Sequence, residues 1–303
     1  MIRTKSAAAA LSIASNTLLI ALKLVAGVLT GSIAILTEAI HSLVDLIASI
    51  VAFVSVRKAE EPADADHPYG HQKVESLAAT IEGLLILVGA GIIIFEAIRR
   101  LAVGATVELV GVGIAVMAVS ALSNFAVSAV LMRQARRHES PALEGDAAHL
   151  RTDAMTSAGV LLGLGVVQVT GNSAYDSITA LIVSGTIIAA GVRIVRRSSG
   201  VLVDEALPAE EMDRIEAAIA AARTVEVAGY HKLRARRAGS RRYIDLHVQY
   251  RSGTTLERAH DLAHTMRDSI EGAIPNAEVL IHVEPESSLR DPGRARSGPF
   301  RAG

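Results

Sequence analysis

Six long apolar blocks dominate the first two thirds of the chain and constrain it more than any other feature. They run over residues 7–29, 32–56, 77–98, 107–132, 144–169 and 174–195. A helix rises 1.5 Å per residue and needs about 20 apolar residues to cross a bilayer core, so each block is long enough to span. The breaks between them carry turn or charge signals: Thr30-Gly31, the polar stretch 57–76, Arg99 to Thr106, Arg133 to Ser140 and Gly171-Asn172. Half of all residues are hydrophobic, too many for an ordinary soluble chain of 303 residues. The first block is longer than the apolar core of a signal peptide and reads as a retained span.

Basic residues orient the spans. With the N-terminus inside, the inner segments hold Arg3, Lys5, Arg57, Lys58, Lys73, Arg133, Arg136, Arg137, Arg193, Arg196 and Arg197, and the outer ones only Arg99 and Arg100. Both termini are therefore expected in the cytoplasm, with the protein in the cell's inner (plasma) membrane. After residue 200 the pattern becomes short and periodic. Residues 208–222 and 255–273 read as helices, and 227–237, 241–250 and 277–284 as strands, with Ala238-Gly239-Ser240 as a hairpin turn. The expected fold is thus an α-helical membrane protein. Six transmembrane helices (1–199) precede a cytoplasmic α+β domain (200–288) of αββαβ, ferredoxin-like order, and 289–303 form a disordered tail rich in Arg, Gly, Pro and Ser.

Composition narrows the chemistry. There is no cysteine, so disulfides and thiolate metal sites are excluded. The net charge is −1, with no basic surface that would suit nucleic acid.

Polar groups inside spans are costly and therefore informative. The second block contains His41-Ser-Leu-Val-Asp45 and the fifth His149-Leu-Arg-Thr-Asp153. A spacing of four puts imidazole and carboxylate on one helix face, a turn apart. Counted from the inner ends of the blocks, His41 and Asp45 lie roughly 22 and 16 Å deep, and His149 and Asp153 roughly 12 and 18 Å. The pairs overlap in depth on oppositely running helices and can meet as four N/O ligands. Such a set suits tetrahedral Zn²⁺ and disfavours Mg²⁺ and Ca²⁺, which want oxygen. Glu38, Glu82, Glu96, Asn124 and Asp176 are further polar residues in the spans. Arg151 lies between two candidate ligands in sequence but points about 200° away from either; it is expected to snorkel or to pair with an acid.

The segment after the second block reads Pro62-Ala-Asp64-Ala-Asp66-His67-Pro-Tyr-Gly70-His71-Gln-Lys73-Val-Glu75. It resembles the His-Pro-x-Gly-His-x-Lys-x-Glu loop of the cation diffusion facilitators. The paired His-x-x-x-Asp motifs, the six-span count and the αββαβ tail are similar to that family too, and the resemblance covers residues 1 to about 288. It implies a homodimer that moves Zn²⁺ and related divalent ions out of the cytoplasm, usually by proton antiport. It also implies that His41, Asp45, His149 and Asp153 form the transport site, a pattern linked with zinc preference. A second metal site falls on Asp64, His67 and His71. A third falls on His231, His247, His260, His282 and Glu284, the last standing where close relatives carry Asp. Eight of the ten histidines belong to these groups, leaving His138 and His264.

The expected function is therefore divalent metal efflux, with Zn²⁺ as transported substrate and as a structural or regulatory ion. Protons are the exchanged species, and the bilayer and a second copy of the chain are the partners. Alternatives are a carrier of Fe²⁺, Co²⁺, Ni²⁺ or Cd²⁺ by the same mechanism, a passive divalent-metal channel, or a metal sensor. No His-Glu-x-x-His or other protease motif occurs, so the chain is not expected to be an enzyme.

Overall fold

The computed structural model describes residues 4–30, 33–103, 111–170 and 174–290; within the helices some side chains, including those of residues 33–41, lie outside the described set. The chain divides into two compact units, 1–200 and 201–303.

The first unit is helical: α1 (Lys5–Thr30), α2 (Ile33–Ala59), α3 (Lys73–Val103), α4 (Gly111–His138), α5 (Pro141–Thr170) and α6 (Ala174–Leu202). The helices overrun the apolar blocks because the flanking charged residues are still good helix formers. At the end of α3, for example, Arg99 and Arg100 reach back one turn to Glu96 at 2.8 and 2.9 Å. Among the described residues, four helices (α1, α3, α4 and α6) are long and apolar enough to cross a membrane. The other two, α2 and α5, carry the candidate site residues Asp45, His149 and Asp153.

Small side chains let these helices approach closely, as dispersion and not hydrophobic exclusion holds helices together in lipid. Ala8 and Ala9 of α1, Val56 of α2, Ala78 of α3, Leu131 and Ala135 of α4 and Ala142, Leu143, Ala147 and Leu150 of α5 form one buried cluster. Between α3 and α6 the contact is closer still. A Cβ at Gly83 would lie 2.8 Å from Val195 Cγ2, and one at Gly191 2.9 Å from Leu87 Cδ2. At one end of the bundle the buried Glu75 accepts from Lys5 Nζ at 2.7 Å and from Ser140 Oγ, tying α1 and the α4–α5 turn to α3.

The second unit holds α7 (Ala209–Ala221), β1 (Val227–Ala238), β2 (Arg241–Tyr250), α8 (Leu256–Ala273) and β3 (Ala277–Pro285), then a 3₁₀ turn, Glu286–Arg290. The expected tail, from residue 291 onward, lies outside the described residues. Gly239, at φ +57, allows the tight β1–β2 connection that L-residues resist. Thr255 caps α8, accepting from the Arg258 amide. The sheet has three strands in the order β1-β2-β3, the first pair antiparallel and the second parallel. Alternation along β2 sorts its faces. Ile244, Leu246, Val248 and Tyr250 are buried in the core with Ile215 and Ile219 of α7 and Leu262, Met266 and Ile270 of α8. Each such side chain contributes roughly 1.5–3 kcal/mol. Residues 243, 245, 247 and 249 take the other face.

Candidate metal sites

Within the helical unit, α2 and α5 bring Asp45, His149 and Asp153 together, with one ligand atom from each lying within 4.8 Å of the others. His149 Nε2 sits 3.2 Å from Asp45 Oδ1 and 3.8 Å from Asp153 Oδ2. Ligand atoms around one tetrahedral ion, each about 2.0–2.2 Å from it, stand roughly 3.4 Å apart. The two observed separations straddle that value. Asp45 and His149 are only 5% and 6% exposed, so neither carboxylate nor imidazole is satisfied by bulk water. The His149 Nδ1 atom has no hydrogen-bond partner among the described residues. His41 lies in α2 one turn before Asp45, and its side chain is outside the described residues. Beside it, Ser42 accepts from the buried Lys23 Nζ at 2.7 Å.

Next to this trio lies a polar cluster that belongs to no sequence motif. Asp146, fully buried, accepts from Ser12 Oγ and Ser49 Oγ, both at 3.1 Å. Asn16 Nδ2 donates to Ser49 Oγ at 2.8 Å and to the Asp45 carbonyl at 3.4 Å, joining the cluster to the site. The signal was present as isolated Ser and Asn residues within the α1 and α2 spans, but those residue types are common in helix contacts. Glu82 of α3 is fully buried, and among the described residues neither of its carboxylate oxygens has a hydrogen-bond partner. Its carboxylate fills the space a Cβ would take at Gly145 of α5. Glu96 instead belongs to the Arg99/Arg100 ion pairs. Asn124 is buried, and the Asp176 side chain lies outside the described residues.

In the loop after α2, Asp64, His67 and His71 form a second group. A turn builds it. The Gly70 amide donates to the His67 carbonyl at 2.9 Å, with Pro68 at the position that favours its fixed φ and Gly70 at φ +84. Asp64 Oδ1 accepts from the Asp66 and His67 amides at 3.1 and 2.7 Å. His67 Nδ1 lies 3.2 Å from Asp64 Oδ1, and His71 Nε2 3.1 Å from Asp64 Oδ2, the latter without hydrogen-bond geometry. The His67 amide holds the Asp64 carboxyl below its ordinary range despite some desolvation, with help from both imidazoles.

The third group is set by strand register. His231 of β1 lies opposite His247 of β2, which lies opposite His282 of β3, so three imidazoles form one row across the sheet. Their ring centroids are 5.2 and 4.6 Å apart. Two residues on, Glu284 reaches back into the row. Its carboxylate lies 3.0 Å from His231 Nε2, 2.5 Å from His247 Nδ1 and 3.7 Å from His282 Nε2. Burial pushes the Glu284 carboxyl up, but hydrogen bonds from His247 and Ser288 and the charge of the two imidazoles outweigh it, leaving the pKa at about 2. His282 is largely exposed, and the compact group is His231, His247 and Glu284. His260 does not join it within one protomer. It is on α8, which covers the opposite, apolar face of the sheet, and its ring meets His264 at 4.3 Å.

A bundle of apolar helices around a buried carboxylate–imidazole group, followed by a small domain bearing further N/O groups, is the arrangement expected of a membrane transporter of cations. Comparison with known proteins agrees. Residues 9–203 match the cation efflux transmembrane domain and residues 207–286 the cation efflux protein cytoplasmic domain. The chain is 34% identical over 284 residues to the uncharacterized transporter sll1263 of Synechocystis sp., covering 94% of this chain and 90% of that one. It is 32% identical over 284 residues to the cation-efflux pump FieF of Klebsiella pneumoniae, covering 94% and 93%. A solved structure, the metal-bound C-terminal domain of the CzcD transporter from Thermotoga maritima, is 27% identical with a TM-score of 0.24, covering 28% of this chain and 98% of that one. The chain belongs to the cation diffusion facilitator family. It is a cation efflux transporter and not an enzyme, and its cytoplasmic unit is the one through which the family dimerises.

Proposed function

We propose that the protein exports Zn²⁺ from the cytoplasm in exchange for protons, through a site made of His41, Asp45, His149 and Asp153. The observation that carries this reading is the meeting of Asp45, His149 and Asp153 in the buried interior at spacings suited to one small ion. His41, a turn before Asp45, supplies the fourth ligand. Two imidazoles and two carboxylates make a mixed N/O set that favours Zn²⁺ over Mg²⁺ or Ca²⁺.

Ligation needs carboxylate and neutral imidazole, so an incoming ion releases protons, and protons arriving from outside release the ion. Histidine suits this exchange because its ordinary pKa of about 6.5 lies near physiological pH. Six spans, with both termini in the cytoplasm of a cell bounded by this inner membrane, keep the site at mid-depth while the bundle rocks between inward and outward access. Two protomers pair through the cytoplasmic units. There Zn²⁺ held by His231, His247 and Glu284, with His260 and His282 offered across the pair, biases the dimer toward one arrangement. Asp64, His67 and His71 bind a further ion. Asp45→Ala and Asp153→Ala are each expected to abolish Zn²⁺ flux while the dimer stays folded. Near-normal flux in both would refute the site.

A further inference from the structure

Arg151 is the one cation of α5 within the span region, and it turns away from the metal site. It lines a cavity of about 310 Å³ between α4 and α5, together with Arg133 and Arg136 of α4, Ser128, and the apolar Phe125, Ala129 and Met132. Three features of this cavity point to one ligand. The first is charge. Among the described residues, none of these three arginines is paired with a carboxylate, and all three are exposed. The nearby acids are committed elsewhere: Asp153 and Asp45 face His149, and Glu144 holds Arg197 at 2.6 Å. The second is depth. Arg151 is ten residues into α5, about 15 Å along the helix, where an exposed guanidinium without an anion is costly in a bilayer. The third is polarity along α4. Phe125, Ala129, Met132 and Arg136 recur at helical spacing on one stripe, apolar at one end and cationic at the other over about 16 Å. Leu122 and Phe125, at the apolar end, are 71% and 57% exposed. A groove with two arginines near the end of α4, a third reaching in from deeper on α5, and an apolar stretch beyond them matches an anionic phospholipid, head and chain.

We infer that this cavity binds an anionic phospholipid, its phosphate held by Arg133, Arg136 and Arg151 and an acyl chain lying along Phe125 and Leu122. Guanidinium groups suit the task because each offers paired donors to phosphate oxygens. The bound lipid would clamp α4 to α5, the helix that carries His149 and Asp153.

The test uses the full-length protein, purified and delipidated in detergent, with lipid binding read by native mass spectrometry. The probes are palmitoyl-oleoyl phosphatidylglycerol and the matched phosphatidylcholine. Wild type is expected to prefer the anionic lipid by about tenfold or more. Arg133→Gln/Arg136→Gln should bring that preference to within about threefold of none, and Arg151→Gln should reduce it. Arg151→Lys, which keeps the charge, should retain most of it and separates lost binding from lost folding. Excess inorganic phosphate should not displace the lipid. Equal binding of the two lipids by wild type, or an unchanged preference in the double variant, would overturn the proposal. Displacement of the lipid by inorganic phosphate alone would overturn it too, marking a site for free anions.

Discussion

Glu284→Gln removes the carboxylate that bridges His231 and His247 while keeping nearly the same shape. In the native fold that carboxyl is held at about 2, against an ordinary 4.5. The shift caps its contribution to stability near ~3.4 kcal/mol. The group is partly in contact with water, and screening brings the figure to about 1–2 kcal/mol. The sign follows from the direction of the shift. A depressed carboxyl stabilises the fold fully above its unfolded pKa, and the contribution fades as pH falls from about 4.5 toward 2. The assay is thermal unfolding of the metal-free protein, following the transition of the cytoplasmic unit. At pH 7 the variant should melt lower by at least about 4 °C, since 1 kcal/mol is worth roughly 4–8 °C in a unit of this size. The gap should persist to about pH 5, shrink by roughly half near pH 3 and close toward about pH 2. Added Zn²⁺ should raise the wild-type transition by mass action and raise the variant's much less. A variant that melts with wild type at pH 7, or a gap that stays constant down to pH 3, would refute the reasoning.

Other substitutions probe the remaining parts. Asp45→Asn, which keeps packing but removes an anionic ligand, should weaken Zn²⁺ binding at the membrane site by about 30-fold or more, as read by isothermal titration with the outer sites mutated. Gly145→Ala places a methyl group on the Glu82 carboxylate and 3.2 Å from the Ala79 backbone. It should cost about 1–3 kcal/mol, seen as a lower melting temperature, and Glu82→Ala in the same chain should recover part of that loss. The double variant His231→Ala/His282→Ala should lose the Zn²⁺-dependent compaction of the dimer measured by small-angle scattering, with the metal-free dimer unchanged.

Much of this architecture was legible in the residues because its signals are local. Apolar runs placed the six helices, with ends displaced by up to seven residues where charged flanks extend them, and alternation in 241–250 gave the core face of β2. The His-x-x-x-Asp spacing singled out Asp45, His149 and Asp153, which the fold brings together, since four residues along a helix fix a shared face. What was hidden depends on contacts between distant segments. The row His231–His247–His282 exists only because a register shift between His231 and Arg234 aligns β1 with β2, and β3 adds in parallel after a crossover through α8. The same topology puts His260 on the far face of the sheet, a separation that a histidine count does not reveal. Asp146 was missed because its partners Ser12 and Ser49 come from α1 and α2. Arg151 could be turned away from the ligands by helix geometry alone, but the cavity it enters is built from α4.

Proton-driven zinc export through the α2–α5 site, as proposed, would show itself as metal flux into proteoliposomes across an imposed pH gradient, comparing Zn²⁺, Co²⁺, Cd²⁺, Fe²⁺ and Mn²⁺ for wild type and Asp153→Ala. Zinc flux that follows the gradient and vanishes in the variant is the expected result; flux indifferent to the gradient, or undiminished in Asp153→Ala, would contradict it.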